Sequence, residues 1–223
     1  MSKENYINKD LSYFISPRLD LVNLMENNPE QKVLEIGMGG GDTLVHIKHN
    51  KLASVVIGID IVELPGTNQN NPAIDKVYFL DLDKESLPFP DACFDTIIAG
   101  DVLEHLIDPW CVIKKLNRVL KPGGNILVSL PNIRDMYALY GIFFKGSFNY
   151  QSSGIFDKTH MRFFCKKDMI KLVAQDGGFN IKEIMPIQNF GNANFKRKVF
   201  NKLSFNIFQE FTTSQYLIKA IKL

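Results

Sequence analysis

The sequence predicts an α/β protein with a Rossmann-like, doubly wound, mostly parallel sheet and helices on both faces. Apolar runs alternate with helix-like segments along the chain, which is the pattern of parallel crossover units. A glycine-rich turn directly follows the first buried run and precedes a helix. The 223 residues, 45% of them hydrophobic and 22% charged, suffice for one domain with a substantial core. We therefore expect residues 1–223 to form a single domain.

Four apolar runs and two helical patterns define the first half of the predicted sheet. A helix around Arg18–Met25 follows Ser16-Pro17, and a second helix over Asp42–His49 follows the glycine turn. Each apolar run is followed by glycine or by acidic residues, which marks the end of a strand. The four predicted strands are Lys32–Ile36, Ser54–Ile59, Lys76–Leu80 and Phe94–Ala99.

The second half continues this rhythm with one interruption. Residues 133–164 are rich in aromatic residues and glycine and are too long for an ordinary connection, which predicts a lid or substrate-binding insertion. A helical extension is predicted over residues 192–215, and Tyr216–Ile221 is expected to be a closing edge strand. The remaining predicted elements are the helix Trp110–Leu120, the turn Lys121–Gly124, the strand Asn125–Leu130, the helix Lys166–Gln175 and the strand Asn180–Ile187.

Composition and charge argue against several classes of protein. With 26 basic and 24 acidic residues the net charge is +2, which gives no electrostatic reason to expect a nucleic acid partner. Cys93, Cys111 and Cys165 are widely spaced and form no C-x-x-C pair, so neither a disulfide framework nor a zinc site is indicated. No apolar stretch is long enough to cross a bilayer. We expect a cytoplasmic monomer or homodimer with no transmembrane segment. No recognised ligand motif supports a bound metal, so none is expected, although a divalent-metal site stays open as the alternative.

The glycine-rich turn Gly37–Gly41 is the first candidate binding site. Its glycines let a ligand approach the backbone, and the N-terminus of the next helix offers unpaired N–H groups. The dinucleotide fingerprint G-x-G-x-x-G would require glycine where Asp42 stands, and Glu35 lies two residues before the first glycine. These residues disfavour a nicotinamide-dependent oxidoreductase, and a plain tight turn is the structural alternative.

Acidic residues at the predicted strand ends suit S-adenosylmethionine (SAM) better. SAM has no pyrophosphate; it presents a ribose diol, an adenine and a methionine end that carries an ammonium group. Asp60 offers paired acceptors for the diol, and Asp83 or Asp81 could accept from the exocyclic amine of adenine. Ligands of such sheets bind beyond the carboxyl ends of the strands, where these acids are predicted to lie. Each acid taken alone is better explained as a helix cap or a solvated loop residue.

Several segments together resemble the class I SAM-dependent methyltransferases over roughly residues 15–185. The similar segments are Val33–Gly41, Gly58–Asp60, Leu87–Asp91, Phe94–Asp95, Asp101–Leu106 and Arg118–Gly124. The resemblance implies a seven-stranded sheet of order 3-2-1-4-5-7-6 with an antiparallel seventh strand. It also implies SAM as cofactor and S-adenosylhomocysteine as product.

The same resemblance assigns residues to parts of the cofactor. Glu35, Gly37 and Gly39 are expected near the methionine end. Asp60 is expected at the ribose and Asp83 at the adenine, since the distance to Leu87-Pro88-Phe89 favours Asp83 over Asp81. The full set of expected cofactor-binding residues is Glu35, Gly37, Met38, Gly39, Asp60, Ile61, Leu82, Asp83, Asp101 and Val102.

A narrower resemblance concerns the methyl acceptor. Four segments are similar to a bacterial group of methyltransferases associated with surface-polysaccharide biosynthesis, namely Tyr13-Phe14, Ser16–Asp20, Ser129–Asn132 and Asp157–Phe164. This implies a small-molecule or saccharide acceptor with a hydroxyl as the methylated group. Two alternatives stay open: another small molecule, quinone-like or an amine, and a non-catalytic module that binds SAM or a glycan.

His105 and His160 are the candidate catalytic residues. A sugar hydroxyl is barely ionised near neutral pH, so a positioned base would help to remove its proton. Four residues at the spacing i, i+3, i+4 and i+7 are predicted to share one face of a helix, namely Asp101, Glu104, His105 and Asp108. The alternative for His105 is a structural hydrogen bond, and the alternative for His160 is an anchor of the lid.

Two further segments carry weaker hypotheses. Arg162 is a candidate for binding an acidic sugar or a diphosphate carrier, with a surface salt bridge as the alternative. The C-terminal segment Phe195–Phe211 contains the basic run Lys196–Lys198 among phenylalanines, which predicts an amphipathic helix on the core or at a dimer face. Peripheral contact with an anionic membrane is its alternative. Aromatic residues of the insertion are expected to stack on a sugar or to form a packed lid, namely Tyr140, Phe143, Phe144 and Tyr150.

Overall fold

The computed structural model describes residues 14–188, 199, 201–203 and 206–223. Their strands form one seven-stranded sheet of order β3-β2-β1-β4-β5-β7-β6. Strands β1 to β5 pair in parallel, and β7 is antiparallel to both β5 and β6. The strands are β1 Lys32–Ile36, β2 Val55–Asp60, β3 Lys76–Phe79, β4 Phe94–Gly100, β5 Leu120–Pro131, β6 Phe179–Ile187 and β7 Gln215–Lys222. The predicted fold class and strand order are confirmed.

Helices cover both faces of this sheet, and polar residues fix where several of them begin. Asp108 accepts a hydrogen bond from the Cys111 backbone N–H and precedes Pro109, so a cap and an N-terminal proline start the third helix. Asp135 caps the fourth helix through the Tyr137 N–H. The helices are α1 Leu19–Val22, α2 Asp42–His49, α3 Pro109–Val119, α4 Met136–Lys145, α5 Lys166–Ile170 and α6 Gln209–Thr212. A π-helical turn, Lys171–Asp176, continues α5, and 3₁₀ turns occur at Asn68–Asn70 and Leu103–His105.

The central strands are buried on both faces, which is why they read as continuous apolar runs rather than alternating ones. In β1, Leu34 and Ile36 pack in the core layer that includes α3 and α5, whereas Val33 packs in the opposite layer with α1 and α2. The alternation of side chains along a strand therefore divides the core into two layers, one on each side of the sheet.

The expectation that Tyr216–Ile221 closes the edge of the sheet is wrong, whereas the inner position of the last strand that the resemblance implies is confirmed. Strand β7 lies inside the sheet between β5 and β6, and β6 forms the edge. Tyr216, Leu217 and Ile218 are all about 1% exposed, because both faces of β7 are covered and both of its edges are paired. The chain end therefore closes the sheet by insertion, which a short apolar run does not reveal on its own.

Residues 133–164, predicted as an insertion, contain α4 followed by an irregular segment that returns to Phe164 beside Asn132. The predicted basic run Lys196–Lys198 lies outside the described residues. In the described part of the chain, no helix combines the length and apolar character that a bilayer crossing requires.

Candidate functional site

A cavity of about 1010 Å³ lies at the carboxyl ends of the parallel strands. Ile36 of β1 pairs with Ile59 of β2 and with Ala99 of β4. The residues that follow these three strands therefore lie close together at the carboxyl ends of the strands. The cavity walls come from the glycine turn, the ends of β2 and β4, the Leu103–His105 turn, α4 and residues 147–160. This volume is at the upper end of the range for small-molecule sites, which leaves space for an acceptor beside a cofactor.

The glycine turn has a backbone that only glycine adopts readily. Gly37, Gly39 and Gly41 have φ values of 63°, 53° and 88°, all in the left-handed region. A Cβ at Gly37 would lie 2.2 Å from Cγ2 of Val102, in the loop after β4. The Gly37 N–H donates to the Ile59 carbonyl at 2.8 Å, which ties the turn to β2. Glycine is therefore required at position 37 for two reasons: the left-handed backbone, and Val102, which leaves no room for a side chain.

Glu35 is buried in β1 and lines the cavity. Burial raises the pKa of its carboxyl to about 8, against hydrogen bonding from Thr43 and the charge of Arg18, which lower it. Among the described residues nothing donates a hydrogen bond to its Oε2 atom. A buried carboxylate oxygen without a donor is costly, so this atom is suited to a cationic or N–H group of a ligand.

Asp60, at the end of β2, holds the glycine turn in place. Its Oδ2 accepts from the Gly39 N–H at 2.9 Å, and its Oδ1 accepts from the N–H groups of Ile61 and Val62 at 2.7 and 3.2 Å. Burial raises the pKa of this carboxyl to about 6, although the three N–H donors lower it. An ionised carboxylate has about four acceptor positions, so acceptor capacity towards a ligand remains.

Asp83 and Asp81 also line the cavity, but each carboxylate has contacts within the protein. Asp83 accepts from the backbone N–H groups of Ile107 and Asp108 at 3.0 Å. Asp81 forms an ion pair with Lys84 at 2.8 Å and accepts from the Asp83 N–H. The expected adenine contact of Asp83 stays a prediction, and its carboxylate has a second function in fixing the loop before α3.

Asp101 is the centre of a polar network that the sequence did not indicate. Its carboxylate accepts from Arg18 Nη1 at 2.6 Å, from Ser129 Oγ at 2.9 Å and from Gln215 Nε2. Burial lowers the pKa of Arg18, but the charges of Asp101 and Asp20 outweigh it and keep the pKa above the usual value. Arg18, Ser129 and Gln215 come from three distant parts of the chain, so no local spacing could have identified the network.

The predicted helix face of Asp101, Glu104, His105 and Asp108 is wrong. Only Leu103–His105 form a helical turn, of the 3₁₀ type, and α3 begins separately at Pro109. The 3₁₀ turn ends at Leu106, whose backbone is extended. Proline disfavours helical geometry in the residue before it, so Asp108 stays outside the helix and caps α3. Glu104 and His105 are buried on the cavity wall, while Asp108 is directed to the start of α3.

The structure brings His105 and His160 together, with Glu104 beside them. The imidazole rings lie 4.6 Å apart between centroids at 72°. His105 Nδ1 is 3.1 Å from the Thr159 carbonyl oxygen, and His160 Nδ1 is 3.0 Å from the Ile155 carbonyl oxygen. His160 Nε2 is 3.9 Å from Glu104 Oε1. Burial and the nearby charge of Asp101 raise the pKa of the Glu104 carboxyl well above its ordinary value.

Arg162 is directed away from the cavity. Its guanidinium donates to the Ile107 carbonyl oxygen and lies 5.7 Å from the centre of the Trp110 ring. Arg162 is absent from the cavity wall, so the hypothesis of a direct contact with an acidic sugar is not supported. The hydrogen bond from Arg162 to Ile107 connects residues 157–164 to the loop before α3.

Aromatic and polar side chains of residues 137–151 also line the cavity. Tyr137 and Tyr140 line the cavity from α4, and Ser147, Asn149 and Gln151 line it from the following segment. Two phenylalanines of α4 do not line the cavity and are largely exposed, namely Phe143 and Phe144. The predicted packed aromatic lid therefore covers the cavity only in part.

Residues 34–128 match the model of a protein family described as a methyltransferase domain. This range runs from β1 into β5 and includes the glycine turn, Asp60, Asp83 and the Leu103–His105 turn. It ends before the segment that carries His160.

Two curated relatives match part of the chain. The 27-O-demethylrifamycin SV methyltransferase of Amycolatopsis mediterranei is 36% identical over 100 residues, 43% of this chain and 36% of the relative. A demethylmenaquinone methyltransferase of Staphylococcus aureus is 34% identical over 118 residues, 49% of each protein. The chain thus spans about half the length of these relatives or less.

The fold also matches solved structures across nearly the whole chain. A SAM-dependent methyltransferase from Archaeoglobus fulgidus superposes with a TM-score of 0.64 at 18% identity, covering 97% of this chain and 99% of that one. At this identity the likeness concerns the fold alone, and it agrees with the strand order described above.

Proposed function

We propose that this chain is a class I SAM-dependent methyltransferase, which its fold and its matched domain support. It transfers a methyl group from SAM to a hydroxyl of a small-molecule acceptor. One observation carries the proposal. The buried Glu35 Oε2 has no hydrogen-bond donor among the described residues and lies in a cavity wall beside the glycine turn. The ammonium group of the methionine end is a donor of the right charge for that atom.

SAM, when bound, supplies an electrophilic methyl group. The residues of this chain provide its site: Glu35 for the ammonium group, Asp60 for the ribose hydroxyls and Asp83 for the adenine amine. Glu35 and Asp60 are held by the two adjacent strands β1 and β2, so their separation is fixed by the sheet. A rigid site of this kind contributes to rate by aligning the reacting groups.

The acceptor is proposed to be a saccharide or a saccharide intermediate. Support comes from the cavity wall, where Tyr137 and Tyr140 offer rings for stacking and Ser147, Asn149 and Gln151 offer hydrogen-bonding groups. His105 and His160, which also line the cavity, are proposed to activate the acceptor hydroxyl. The relative named for demethylmenaquinone makes a quinone-like acceptor the second candidate. A cytoplasmic location and a monomeric or homodimeric state remain predictions from the sequence.

The cofactor assignment is tested by titrating the purified full chain with SAM, and separately with NADH, in a calorimeter. We expect saturable binding of SAM at one site and no binding of NADH. Binding of NADH in place of SAM would refute the proposal.

The acceptor is tested by incubating the protein with methyl-labelled SAM and a cell extract. The extract is then separated into RNA, protein, lipid-linked saccharide, quinone and small-molecule fractions. Label in a saccharide fraction is expected. Label confined to RNA or protein would refute a small-molecule acceptor, and label in the quinone fraction alone would establish the second candidate. SAM binding without label in any fraction would leave only a non-catalytic binding module.

A further inference from the structure

We propose that Glu104, His105 and His160 bind a divalent first-row transition-metal ion, with Zn²⁺ the best match. One ligand atom from each residue lies within 4.8 Å of the other two. All three residues line the cavity, so a bound ion would have a coordination position open to the acceptor. This departs from the sequence-based expectation of no metal, because the three residues come from two separate segments and match no linear ligand motif.

The imidazoles are oriented as metal ligands usually are. In each ring Nδ1 faces a backbone carbonyl oxygen, that of Thr159 for His105 and that of Ile155 for His160. A carbonyl oxygen can only accept, so Nδ1 carries the proton and Nε2 presents a lone pair. Donation from the second nitrogen to a carbonyl is the common outer contact of histidines that bind metals through the first.

Glu104 supplies the negative charge of the site. Its side chain is 1% exposed, and neither Oε1 nor Oε2 accepts a hydrogen bond from the described residues. A buried carboxylate without donors is costly unless it is protonated or meets a cation. Arg18 is the cationic residue that acts on Glu104, but its guanidinium is bound to Asp20 and Asp101. The position is therefore suited to an ion that enters from the cavity.

Main-chain hydrogen bonds hold the two ligand segments together. The Glu104 carbonyl oxygen accepts from the N–H groups of Met161 and Arg162 at 2.8 and 2.9 Å. Asp157 accepts from Thr159 through both its N–H and its hydroxyl, which fixes the turn that carries His160. Tetrahedral zinc with bonds of about 2.1 Å places its ligands about 3.4 Å apart. The ligand atoms lie within 4.8 Å of one another, so they need to approach by at most about 1.4 Å to bind a common ion.

The donor set selects the class of metal. Two imidazoles and one carboxylate are the ligands of catalytic zinc sites and of facial iron(II) sites. Mg²⁺ and Ca²⁺ prefer sites built from oxygen alone, so they fit this set poorly. The role of the ion rests on the proposed function. A bound ion would lower the pKa of an acceptor hydroxyl beside it, so that the proton could pass to solvent as the oxygen takes the methyl group and S-adenosylhomocysteine leaves.

Metal binding is tested on the full chain after treatment with a chelator. We expect one equivalent of Zn²⁺ to bind in equilibrium dialysis, and Mg²⁺ to bind far more weakly. Glu104→Gln and His160→Asn should each lower Zn²⁺ affinity about 100-fold. The α2 histidines lie outside the cavity wall and are the control, so a His46→Asn/His49→Asn variant should bind Zn²⁺ as the wild type does. Loss of binding in that control variant would place the ion on α2 and overturn the proposal.

A second measurement needs no substitution in the cluster. In nuclear magnetic resonance spectra, Zn²⁺ should shift the imidazole signals of His105 and His160 and leave those of His46 and His49 in place. Absence of binding by the folded, SAM-binding protein would refute the metal site and leave the proposed function standing. Zn²⁺ binding at the cluster without SAM binding would refute the proposed function and leave the metal site standing.

Discussion

Glu35 is a buried and Asp60 a half-buried carboxyl beside the glycine turn, and their hydrogen bonding differs. Asp60 accepts from three backbone N–H groups, so its negative charge is balanced within the protein. One carboxyl oxygen of Glu35 receives no hydrogen bond from the described residues. Burial raises the pKa of the Glu35 carboxyl to about 8. Asp60 therefore stabilises the fold and is also proposed to bind the ligand. Glu35 is proposed to bind the ligand, but its buried oxygen without a donor destabilises the folded protein.

Glu35→Gln should make the free protein more stable at alkaline pH. The pKa of Glu35 is about 8 in the folded chain against an ordinary 4.5, so the folded state holds the proton more tightly. Stability therefore falls as pH rises from about 4.5 to 8, and the amide removes this loss. We expect a gain on the order of 2 kcal/mol at pH 8.5 and almost none at pH 4.5, measured by urea unfolding. Equal effects at both values would contradict the assignment.

Asp60→Asn and Asp60→Ala should separate the two functions of Asp60. Both changes remove the charge that faces the ribose, so each should weaken SAM binding at least tenfold in calorimetry. The alanine also removes the acceptor of three N–H groups and should cost about 1–3 kcal/mol of folding stability. Asp91→Asn is the control, because Asp91 is an exposed surface residue whose ion pair with Arg118 lies outside the cavity. Unchanged SAM affinity in both Asp60 variants would exclude the ribose assignment.

At the scale of elements, the β1–α2 turn and the loop after β4 fit each other. The turn needs left-handed backbone at Gly37, and Val102 occupies the space where a side chain would lie. The glycines make this close contact of two loops possible, and the contact helps to shape the cavity.

Gly37→Ala should cost about 2–4 kcal/mol of stability, because it combines left-handed strain with overlap on Val102. Gly66→Ala isolates the strain, since Gly66 has φ of 80° and a methyl group added there would meet no atom within 4 Å. We expect that control to cost only about 1 kcal/mol. Adding Val102→Ala to Gly37→Ala should restore part of the loss. In urea unfolding, a double variant no more stable than Gly37→Ala alone would show that the overlap is not the cause.

At the scale of the whole molecule, the cavity at the carboxyl ends of the strands is lined by residues from β1, β2, β4 and α4. A ligand that binds there stabilises all of these elements in the folded state and none in the unfolded state. SAM at about 100 times its dissociation constant should stabilise the protein by about 2.7 kcal/mol and raise its Tm by roughly 5–10 °C. NADH at the same concentration should leave the Tm unchanged in a calorimetric scan. A shift with NADH alone would point to a different cofactor.

The sequence by itself determined the order of strands and helices and the strand-end acids. Apolar runs of about four to six residues mark buried strands, and glycine, proline and aspartate mark their ends because these residues control local backbone geometry. Glu35, Gly37 and Asp60 follow from such local signals. The helix proposed across Asp101 to Asp108 failed because spacing was weighed above the stop signal of Pro109.

Only the tertiary structure decided the contacts between distant segments. It gathered Arg18, Ser129 and Gln215 around Asp101, and it brought His160 to Glu104 and His105. The physical reason is that strand pairing and burial act across the whole chain, whereas sequence spacing reports on neighbours within a turn or a strand. The glycine turn could be read from the sequence, whereas the clustering of His105, His160 and Glu104 could not.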